Sequence, residues 1–483
     1  MNRELKRISM VIMAMFASLF VATTAIQFGF ADQLNNDPRN VRTLYDSYKT
    51  KRGAILVAGQ PIVQSVQSAD AYHWQRQFVS SPMYSAVTGF YSNLQGTTGL
   101  EQAMNSYLNG QNSSQFFEQV NATLSGNPVS GASVELTINP KVQKAAWDAM
   151  GKLKGAVVAI EPSTGKILAM ISKPGFDANL LAVHNSHQAQ ANYNMLLSDP
   201  TNPLINRAIS GGLYAPGSVF KIIVASTALA NGYKPTDTFP NPAKFLLPGT
   251  KTYIYNSGEG KCGGKPKVSI ADALRLSCNI PFAQLGLALG QDKIRAQAEL
   301  FGFGKSVKIP MTSTPSVYPK NMDDSQTALS AFGQFDDRVT PLQMAMVSAA
   351  IANGGVMMKP TVVNFVQSST LSILQQSNPT QIGTPVTPEV AAGVKQMMVG
   401  AVATGVSSNG QIKGVTVAGK TGTAQNGGNL PYTLWFTGFA PAENPKVAVA
   451  VVVEDGGGMG QSGFGNLLAA PIARKVMQAV LNK

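Results

Sequence analysis

The sequence predicts an α+β protein in which helices cover an antiparallel sheet, with a smaller mixed domain and one transmembrane helix before it. Two apolar runs around residues 162–165 predict an early β-hairpin, and three strand-like runs lie beyond residue 414. Apolar helical segments fall between them. Strands at both ends of a domain with helices grouped between them favour an antiparallel sheet over repeated βαβ units.

The first element is a membrane anchor. Residues 8–31 contain no charged side chain and are long enough to cross a bilayer as a helix. Arg3, Lys6 and Arg7 precede this stretch, which predicts residues 1–7 in the cytoplasm and the rest of the chain outside. A cleaved signal peptide is the alternative, but its apolar region is usually shorter. We therefore expect an uncleaved, single-pass anchor in the cytoplasmic membrane.

Two domains are expected after the anchor, because 483 residues exceed what one hydrophobic core usually serves. Residues 32–131 are polar, with enough aromatic side chains for a small core. The turn-rich stretch 125–131 is the predicted boundary, and residues 132–483 form the second domain.

The charge and the cysteines indicate the cellular surroundings in which we expect the protein. The net charge is +13, but the basic residues are scattered rather than gathered on a helix, which argues against nucleic acid and favours an anionic envelope. Cys262 and Cys278 lie on the predicted outer side, where disulfides persist. The sequence leaves open whether they are bridged or are two buried thiols.

The elements of the second domain follow in order. An Asn before Pro140 and apolar residues at helical spacing predict a helix over 140–150, and the hairpin comes next. A break at 214–217 precedes a buried helix over 219–230, and Thr340-Pro341 opens another that ends at Gly354. The three late strands are followed by a closing helix near 467–481.

Three short motifs carry the candidate chemistry: Ser-x-x-Lys at Ser218 and Lys221, Ser-x-Asn at Ser277 and Asn279, and Lys-Thr-Gly-Thr at 420–423. Chance matches of the first two occur at 163–166, 125–127 and 407–409. Context separates them, because 163–166 falls in a hairpin turn, whereas Ser218 begins a helix that places Lys221 one turn later on the same face.

Lysine is the expected base for Ser218. Burial and a second cation both lower the pKa of a lysine, and Lys420 is the natural second cation. The three histidines, His73, His184 and His187, are interpreted as surface residues, and no Gly-x-Ser-x-Gly surrounds Ser218. The backbone amides of Ser218 and Thr423 are the candidate oxyanion hole. No metal-ligand spacing is present, so we expect no cofactor.

Taken in order, the motifs resemble those of penicillin-binding proteins. The chain is most similar to class B penicillin-binding proteins, and within them to the penicillin-binding protein A group of actinobacteria. The resemblance also rests on RGAI from Arg52, LTINPKVQ from Leu136, VVAIEPSTGKILAM from Val157, YAPGSVFK from Tyr214 and WFTGFAP from Trp435. It implies a penicillin-binding/serine β-lactamase-like transpeptidase domain and a non-catalytic N-terminal domain of the pedestal or dimerisation type.

The resemblance also implies an activity and partners. Ser218 would attack a stem peptide ending in D-Ala-D-Ala, with Lys221 as base, and an acceptor amine would resolve the acyl-enzyme into a crosslink. Ser277 would protonate the leaving D-alanine, Asn279 would hold the peptide amide, and Lys420, Thr421, Gly422 and Thr423 would line the carboxylate site. D,D-carboxypeptidase activity would be a side reaction, and β-lactams would acylate Ser218. Expected partners are peptidoglycan or its lipid-linked precursor, the membrane, and a glycan polymerase or other growth and division proteins.

Four other classes are weighed. Residues 32–131 are short for a glycan-polymerising domain. A β-lactamase would carry Asp at Cys278 and a deacylating Glu, and neither is present. A β-lactam sensor would have several membrane segments. A non-catalytic scaffold is compatible with the anchor and could coexist with catalysis, with residues 32–131 docking on a membrane partner.

Overall fold

A computed structural model describes residues 3–35, 50–70, 72–126, 130–258 and 260–482. Residues 127–129 of the predicted domain boundary and residues 1–2 of the predicted tail lie outside the described residues. The α-helices are α1 (Arg3–Thr24), α2 (Ala31–Asn35), α3 (Ser81–Thr88), α4 (Gly99–Ala103), α5 (Asn105–Leu108), α6 (Phe116–Ser125), α7 (Pro140–Met150), α8 (Ser186–Ser198), α9 (Lys221–Ala230), α10 (Ile270–Arg275), α11 (Asn279–Leu289), α12 (Gln291–Leu300), α13 (Asp324–Ser330), α14 (Pro341–Ala352), α15 (Pro388–Ala403) and α16 (Ala469–Leu481).

Nineteen strands are present in the described part of the chain. They are β1 (Ile55–Val57), β2 (Gln60–Gln67), β3 (Trp74–Phe78), β4 (Tyr91–Ser92), β5 (Gly96–Thr97), β6 (Ser133–Leu136), β7 (Gly155–Ile160), β8 (Ile167–Lys173), β9 (Thr238–Pro240), β10 (Lys244–Leu246), β11 (Tyr253–Tyr255), β12 (Lys267–Ser269), β13 (Met357–Met358), β14 (Val363–Gln367), β15 (Ile373–Gln376), β16 (Gln381–Gly383), β17 (Ala418–Ala424), β18 (Thr433–Ala440) and β19 (Val447–Val453).

The N-terminal helix is the candidate membrane span. α1 continues through a π-helical turn, Ala25–Gly29, and the whole helix is long and apolar enough to cross a bilayer. None of the α1 side chains is buried against the rest of the protein. An apolar helix that packs on nothing is what a bilayer-spanning segment requires.

The larger domain is built on a five-stranded antiparallel sheet in the order β17-β18-β19-β7-β8. Side chains alternate along each strand. On β19, Ala448, Ala450 and Val452 face the core that contains α9 and α14, whereas the valines between them face α7 and α16. Helices therefore cover the antiparallel sheet, as the sequence predicts, and the structure shows that they cover both of its faces. The strand β17 forms one edge.

A second, six-stranded sheet links the early and late parts of the chain. Its order is β15-β14-β6-β1-β2-β3, and all pairs are antiparallel except β1 with β6. β14 and β15 come from residues 363–376, after the helix α14 of the larger domain, yet they complete the sheet that β1–β3 begin. Pairing of this kind joins the two parts of the chain through backbone hydrogen bonds.

One carboxylate organises the smaller domain. Glu101 is fully buried and accepts hydrogen bonds from the guanidinium groups of Arg52 and Arg76, each at 2.6 Å. Burial opposes ionisation, but the positive charges of Arg76 and Arg52 lower the pKa of Glu101 below its usual value. Arg52 also lies over the ring of Tyr91, at 4.5 Å from the centroid. The RGAI segment after the anchor is thereby fixed to the helix α4.

We expect Glu101→Gln to destabilise the protein by about 3–5 kcal/mol, because it leaves two buried guanidinium groups without their counter-ion. The matched control is Asp148→Asn, which breaks the exposed Lys144–Asp148 pair and costs less than about 1 kcal/mol. Thermal denaturation of the detergent-solubilised chain, followed by near-UV circular dichroism, measures both. Equal effects of the two substitutions would contradict the organising role of Glu101.

Candidate active site

The nucleophile candidate lies on a tight turn. Ser218 is in a 3₁₀ helix, Gly217–Phe220, which runs directly into α9 at Lys221. The sequence places Ser218 at the start of an α-helix, and the structure begins that helix with the tighter turn. Side chains three residues apart eclipse one another in a 3₁₀ helix, so Ser218 and Lys221 project to the same side. Ser218 is half-buried and Lys221 is completely buried.

Close backbone contacts hold this turn. Gly217 has φ +53° and its N–H donates to the carbonyl of Gly333 at 2.9 Å. A Cβ on Gly333 would lie 1.9 Å from the carbonyl oxygen of Gly217, so only glycine fits there. On the other side, the indole of Trp435 on β18 donates to the carbonyl of Ala215 at 3.0 Å. The turn is therefore fixed between the sheet and the segment after α13.

Lys221 joins the first and second motifs. Its ammonium nitrogen donates to the backbone carbonyl of Ser277 at 2.8 Å and to Oδ1 of Asn279 at 2.9 Å, and it lies 3.5 Å from Oγ of Ser277. Within the described residues, no hydrogen bond joins Lys221 to the hydroxyl of Ser218. The amine thus lies beside the second motif in the free protein.

The second motif is a strained turn between α10 and α11. Ser277 has φ +61°, which is rare for a residue other than glycine and is found most often at functional sites. Oδ1 of Asn256 caps the next helix by accepting from the N–H groups of Asn279 and Ile280, at 3.0 and 3.1 Å. Cys278 is bridged to Cys262 with a Cα–Cα distance of 5.8 Å, so the question that the sequence leaves open is answered by a disulfide.

Lys420 completes the cluster from the edge strand β17. Its ammonium donates to Oγ of Ser277 at 2.7 Å and to the carbonyl of Thr421 at 2.8 Å. Lys420 is completely buried, so it is not a solvated edge lysine. Burial lowers the pKa of Lys420 to about 7. Burial, and then the charge of Lys420, lower the pKa of Lys221 well below its usual value.

The rest of the third motif borders the nucleophile turn. Gly422 pairs with Trp435 on β18, and a Cβ on Gly422 would lie 2.9 Å from the carbonyl oxygen of Pro216. Oγ1 of Thr423 accepts from the N–H of Gly465 at 3.3 Å. The absence of a side chain at Gly422 lets the 216–218 segment lie against β17, beside the predicted oxyanion-hole amides of Ser218 and Thr423.

Ser407 is a part of the cluster that sequence reasoning set aside. Its hydroxyl accepts from the N–H of Thr421 at 3.0 Å and lies 3.1 Å from the hydroxyl of Thr421. Ser407 belongs to one of the chance Ser-x-Asn matches, and nothing in its spacing distinguishes it. Gly333, Trp435 and Asn256 also position the site from distant parts of the chain.

The histidines lie outside the cluster. His73 and His187 are exposed, as expected, but the prediction of a surface residue is wrong for His184. The His184 side chain is only 9% exposed and its Nδ1 pairs with Asp70. The contact joins two segments that are distant in sequence. Among the described residues, no group of three or more His, Cys, Asp or Glu side chains is placed to hold a metal ion.

Comparisons with known proteins identify the class. The penicillin binding protein transpeptidase domain family matches residues 155–478, and the penicillin binding protein A dimerisation domain family matches residues 52–134. The chain belongs to the penicillin-binding protein transpeptidase family. The predicted fold class and resemblance are thereby confirmed.

Relatives that align with the whole of this chain share one name. Peptidoglycan D,D-transpeptidase PbpA of Mycolicibacterium smegmatis is 41% identical over 493 aligned residues that cover 100% of both chains. The protein of the same name from Mycobacterium tuberculosis is 41% identical over 491, covering 100% of this chain and 99% of its own. The M. tuberculosis penicillin-binding protein A structure, a ceftriaxone acyl-enzyme complex, matches with a TM-score of 0.87 at 39% identity, covering 90% of this chain and 100% of that one.

The lowered lysine pKa values predict a bell-shaped pH dependence for acylation by a soluble β-lactam. Lys221 can accept a proton only above its lowered pKa, so the second-order rate constant rises with pH through that value. Lys420 keeps its positive charge only below about pH 7 in the free protein, so attraction of the β-lactam carboxylate weakens above it. Stopped-flow acylation across the pH range measures both limbs.

Lys420→Arg is the discriminating variant for this profile, because a guanidinium stays charged throughout. We expect the alkaline limb of the pH profile to move to higher pH, while the acid limb stays at the same pH. A profile that is flat in the parent protein, or an alkaline limb that is identical in both proteins, would contradict these assignments.

Gly333→Ala should lower the acylation rate on the order of a hundredfold, because the new methyl group displaces the turn that carries Ser218. Gly304→Ala is the matched control: Gly304 has a similar φ, +78°, but nothing lies within 4 Å of the position that its new methyl group would take. Labelling with a fluorescent penicillin, at equal folded fraction by circular dichroism, compares them. Equal loss in both variants would show that backbone strain alone is responsible.

Proposed function

We propose that this chain is a peptidoglycan D,D-transpeptidase that crosslinks stem peptides through an acyl-enzyme on Ser218 and releases D-alanine. The observation that carries the proposal is the cluster of two buried lysines, Lys221 and Lys420, around the hydroxyl of Ser277, directly behind the Ser218 turn. Full-length similarity to peptidoglycan D,D-transpeptidases supports the substrate class.

In the acylation step, Oγ of Ser218 forms a bond to the carbonyl carbon of the penultimate D-alanine. Its proton passes to Nζ of Lys221, which burial and Lys420 favour in the neutral, accepting form. The bond to the terminal D-alanine nitrogen then breaks, and the proton reaches that nitrogen through Ser277. The positions of both amines, 3.5 and 2.7 Å from Oγ of Ser277, support this relay.

Binding is proposed to follow the edge strand. Lys420, Thr421 and Thr423 hold the terminal carboxylate beside Gly422, and the amides of Ser218 and Thr423 hold the oxyanion. Nδ2 of Asn279 has one proton directed at the carbonyl of Tyr255, at 3.0 Å, which leaves the other to hold the peptide amide of the substrate. An amine from a second stem peptide then takes the acyl group, and Ser218 regains its proton.

The domain limits and the membrane topology are part of the proposal. Residues 1–7 are placed in the cytoplasm, 8–31 in the membrane, and 32–131 and 132–483 outside. The basic residues before the apolar helix support this orientation. None of the eight motif residues comes from 32–131, so this domain is free to dock on a membrane partner such as a glycan polymerase. Protease digestion of intact spheroplasts that spares residues beyond 32 would contradict the topology.

Ser218→Ala should abolish stable labelling by a fluorescent penicillin and the release of D-alanine from a pentapeptide substrate. Ser163→Ala, in the exposed turn of the chance Ser-x-x-Lys match, is the matched control and should keep both. A denaturing gel followed over several hours also separates a transpeptidase from a β-lactamase, which would lose the label within minutes. Labelling that survives Ser218→Ala would overturn the assignment of the nucleophile.

A further inference from the structure

Residues 234–269 form a lysine-rich lobe beside the proposed substrate site at Ser218, Asn279 and Lys420, which we call the cleft. The lobe is built on the two hairpin-like pairs β9–β12 and β10–β11. The lobe has six lysines against Asp237 and Glu259, a formal net charge of +4, with Glu259 outside the described residues. All six lysine side chains are exposed: Lys234, Lys244, Lys251, Lys261, Lys265 and Lys267.

The lobe is fastened to the second catalytic motif. The Cys262–Cys278 disulfide and the hydrogen bond from Asn279 to the carbonyl of Tyr255 join it to the Ser277–Asn279 turn. Inside the lobe, Nδ2 of Asn241 donates to the carbonyls of Cys262 and Lys265, at 2.7 and 2.8 Å. The lysines are therefore held on a structured surface that begins at the rim of the cleft.

Among the described residues of the lobe, the positive charge is not neutralised by ion pairs. In the described part of the chain, no ion pair joins any of the six lysines to a carboxylate, although other surface lysines such as Lys144 and Lys154 are paired. Lys244 instead lies over the ring of Tyr253, 4.5 Å from its centroid. Tyr253 and Tyr255 are 42% and 50% exposed and point to the same side of β11. The two tyrosine rings can pack against the flat faces of sugar rings, and the lysines around them can attract carboxylates. This surface therefore suits a ligand that carries both groups.

We infer that the lysine-rich lobe binds the peptidoglycan strand itself, through carboxylates of stem peptides other than the one in the cleft. This inference rests on the proposed function, because it takes the polymer to be the substrate. A strand whose peptide occupies the cleft beside Asn279 passes along the lobe, which shares the same turn. Each exposed contact between a lysine and a carboxylate is weak, but several of them together would hold the polymer near the nucleophile.

The test is co-sedimentation of the full chain, in detergent micelles, with purified sacculi that have been stripped of attached anionic polymers. The protein is first acylated with benzylpenicillin, so that the cleft is closed and only the outer surface can bind. Lys244→Gln, Lys251→Gln and Lys265→Gln are combined in one variant. The matched control combines Lys152→Gln, Lys293→Gln and Lys305→Gln, which removes the same charge from exposed positions elsewhere.

We expect the lobe variant to bind sacculi about tenfold more weakly and the control to change less than about twofold, since each exposed contact contributes little alone. Binding should fall with added salt and with amidation of the sacculus carboxylates. Both triple variants should keep the parent rate of acylation, which separates this test from that of Ser218. The inference would be overturned if the lobe variant bound sacculi as tightly as the parent protein, or if both triple variants lost the same amount of binding. It would also be overturned if amidation of the sacculi left binding undiminished. Preference for anionic phospholipid vesicles over sacculi would overturn it in favour of a membrane surface.

Discussion

Two lysine amines share one serine hydroxyl inside the protein, and the geometry of the site depends on that contact. Oγ of Ser277 is 2.7 Å from Nζ of Lys420 and 3.5 Å from Nζ of Lys221, and both lysines are completely buried. Two ammonium groups so close in a low-dielectric interior repel each other, so the protons of the pair are lost as a coupled system. The repulsion favours a state in which one of the two amines is neutral, and the charge of Lys420 lowers the pKa of Lys221 in this way.

The fold supplies this cluster from three directions. The edge strand β17 brings Lys420, the 3₁₀ turn before α9 brings Ser218 and Lys221, and the strained turn before α11 brings Ser277. Glycines at 217 and 422 let the 3₁₀ turn lie against β17, and Gly333 lets the segment after α13 approach the same turn, where a side chain would collide with backbone. The disulfide and Asn256 then tie the Ser277 turn to the lysine-rich lobe, so the surface that we propose for the polymer moves with the catalytic motif.

Much of the fold and the identity of the site motifs were predictable from local sequence patterns. The helix over 140–150, the hairpin around 162–165 and the antiparallel sheet follow from periodicity and turn residues, and the order of three motifs indicated the family. Contacts between distant segments were not predictable. The pairing of β14 with β6, the support of Gly217 by Gly333, and the contact of Ser407 with Thr421 join residues whose separation carries no periodic signal. The contact of His184 with Asp70 joins distant segments in the same way.

Measuring the protonation states of Lys221 and Lys420 tests the proposed role of the lysine cluster most directly. Carbon-detected NMR of the chain labelled at lysine Cε, with Lys221→Met and Lys420→Met used for assignment, would follow each amine as the pH is raised. We predict that Lys420 titrates near pH 7, that Lys221 loses its proton well below the pH at which an ordinary lysine does, and that Lys420→Met raises the pKa of Lys221. Two amines that both remain charged up to about pH 10, as ordinary lysines do, would contradict it.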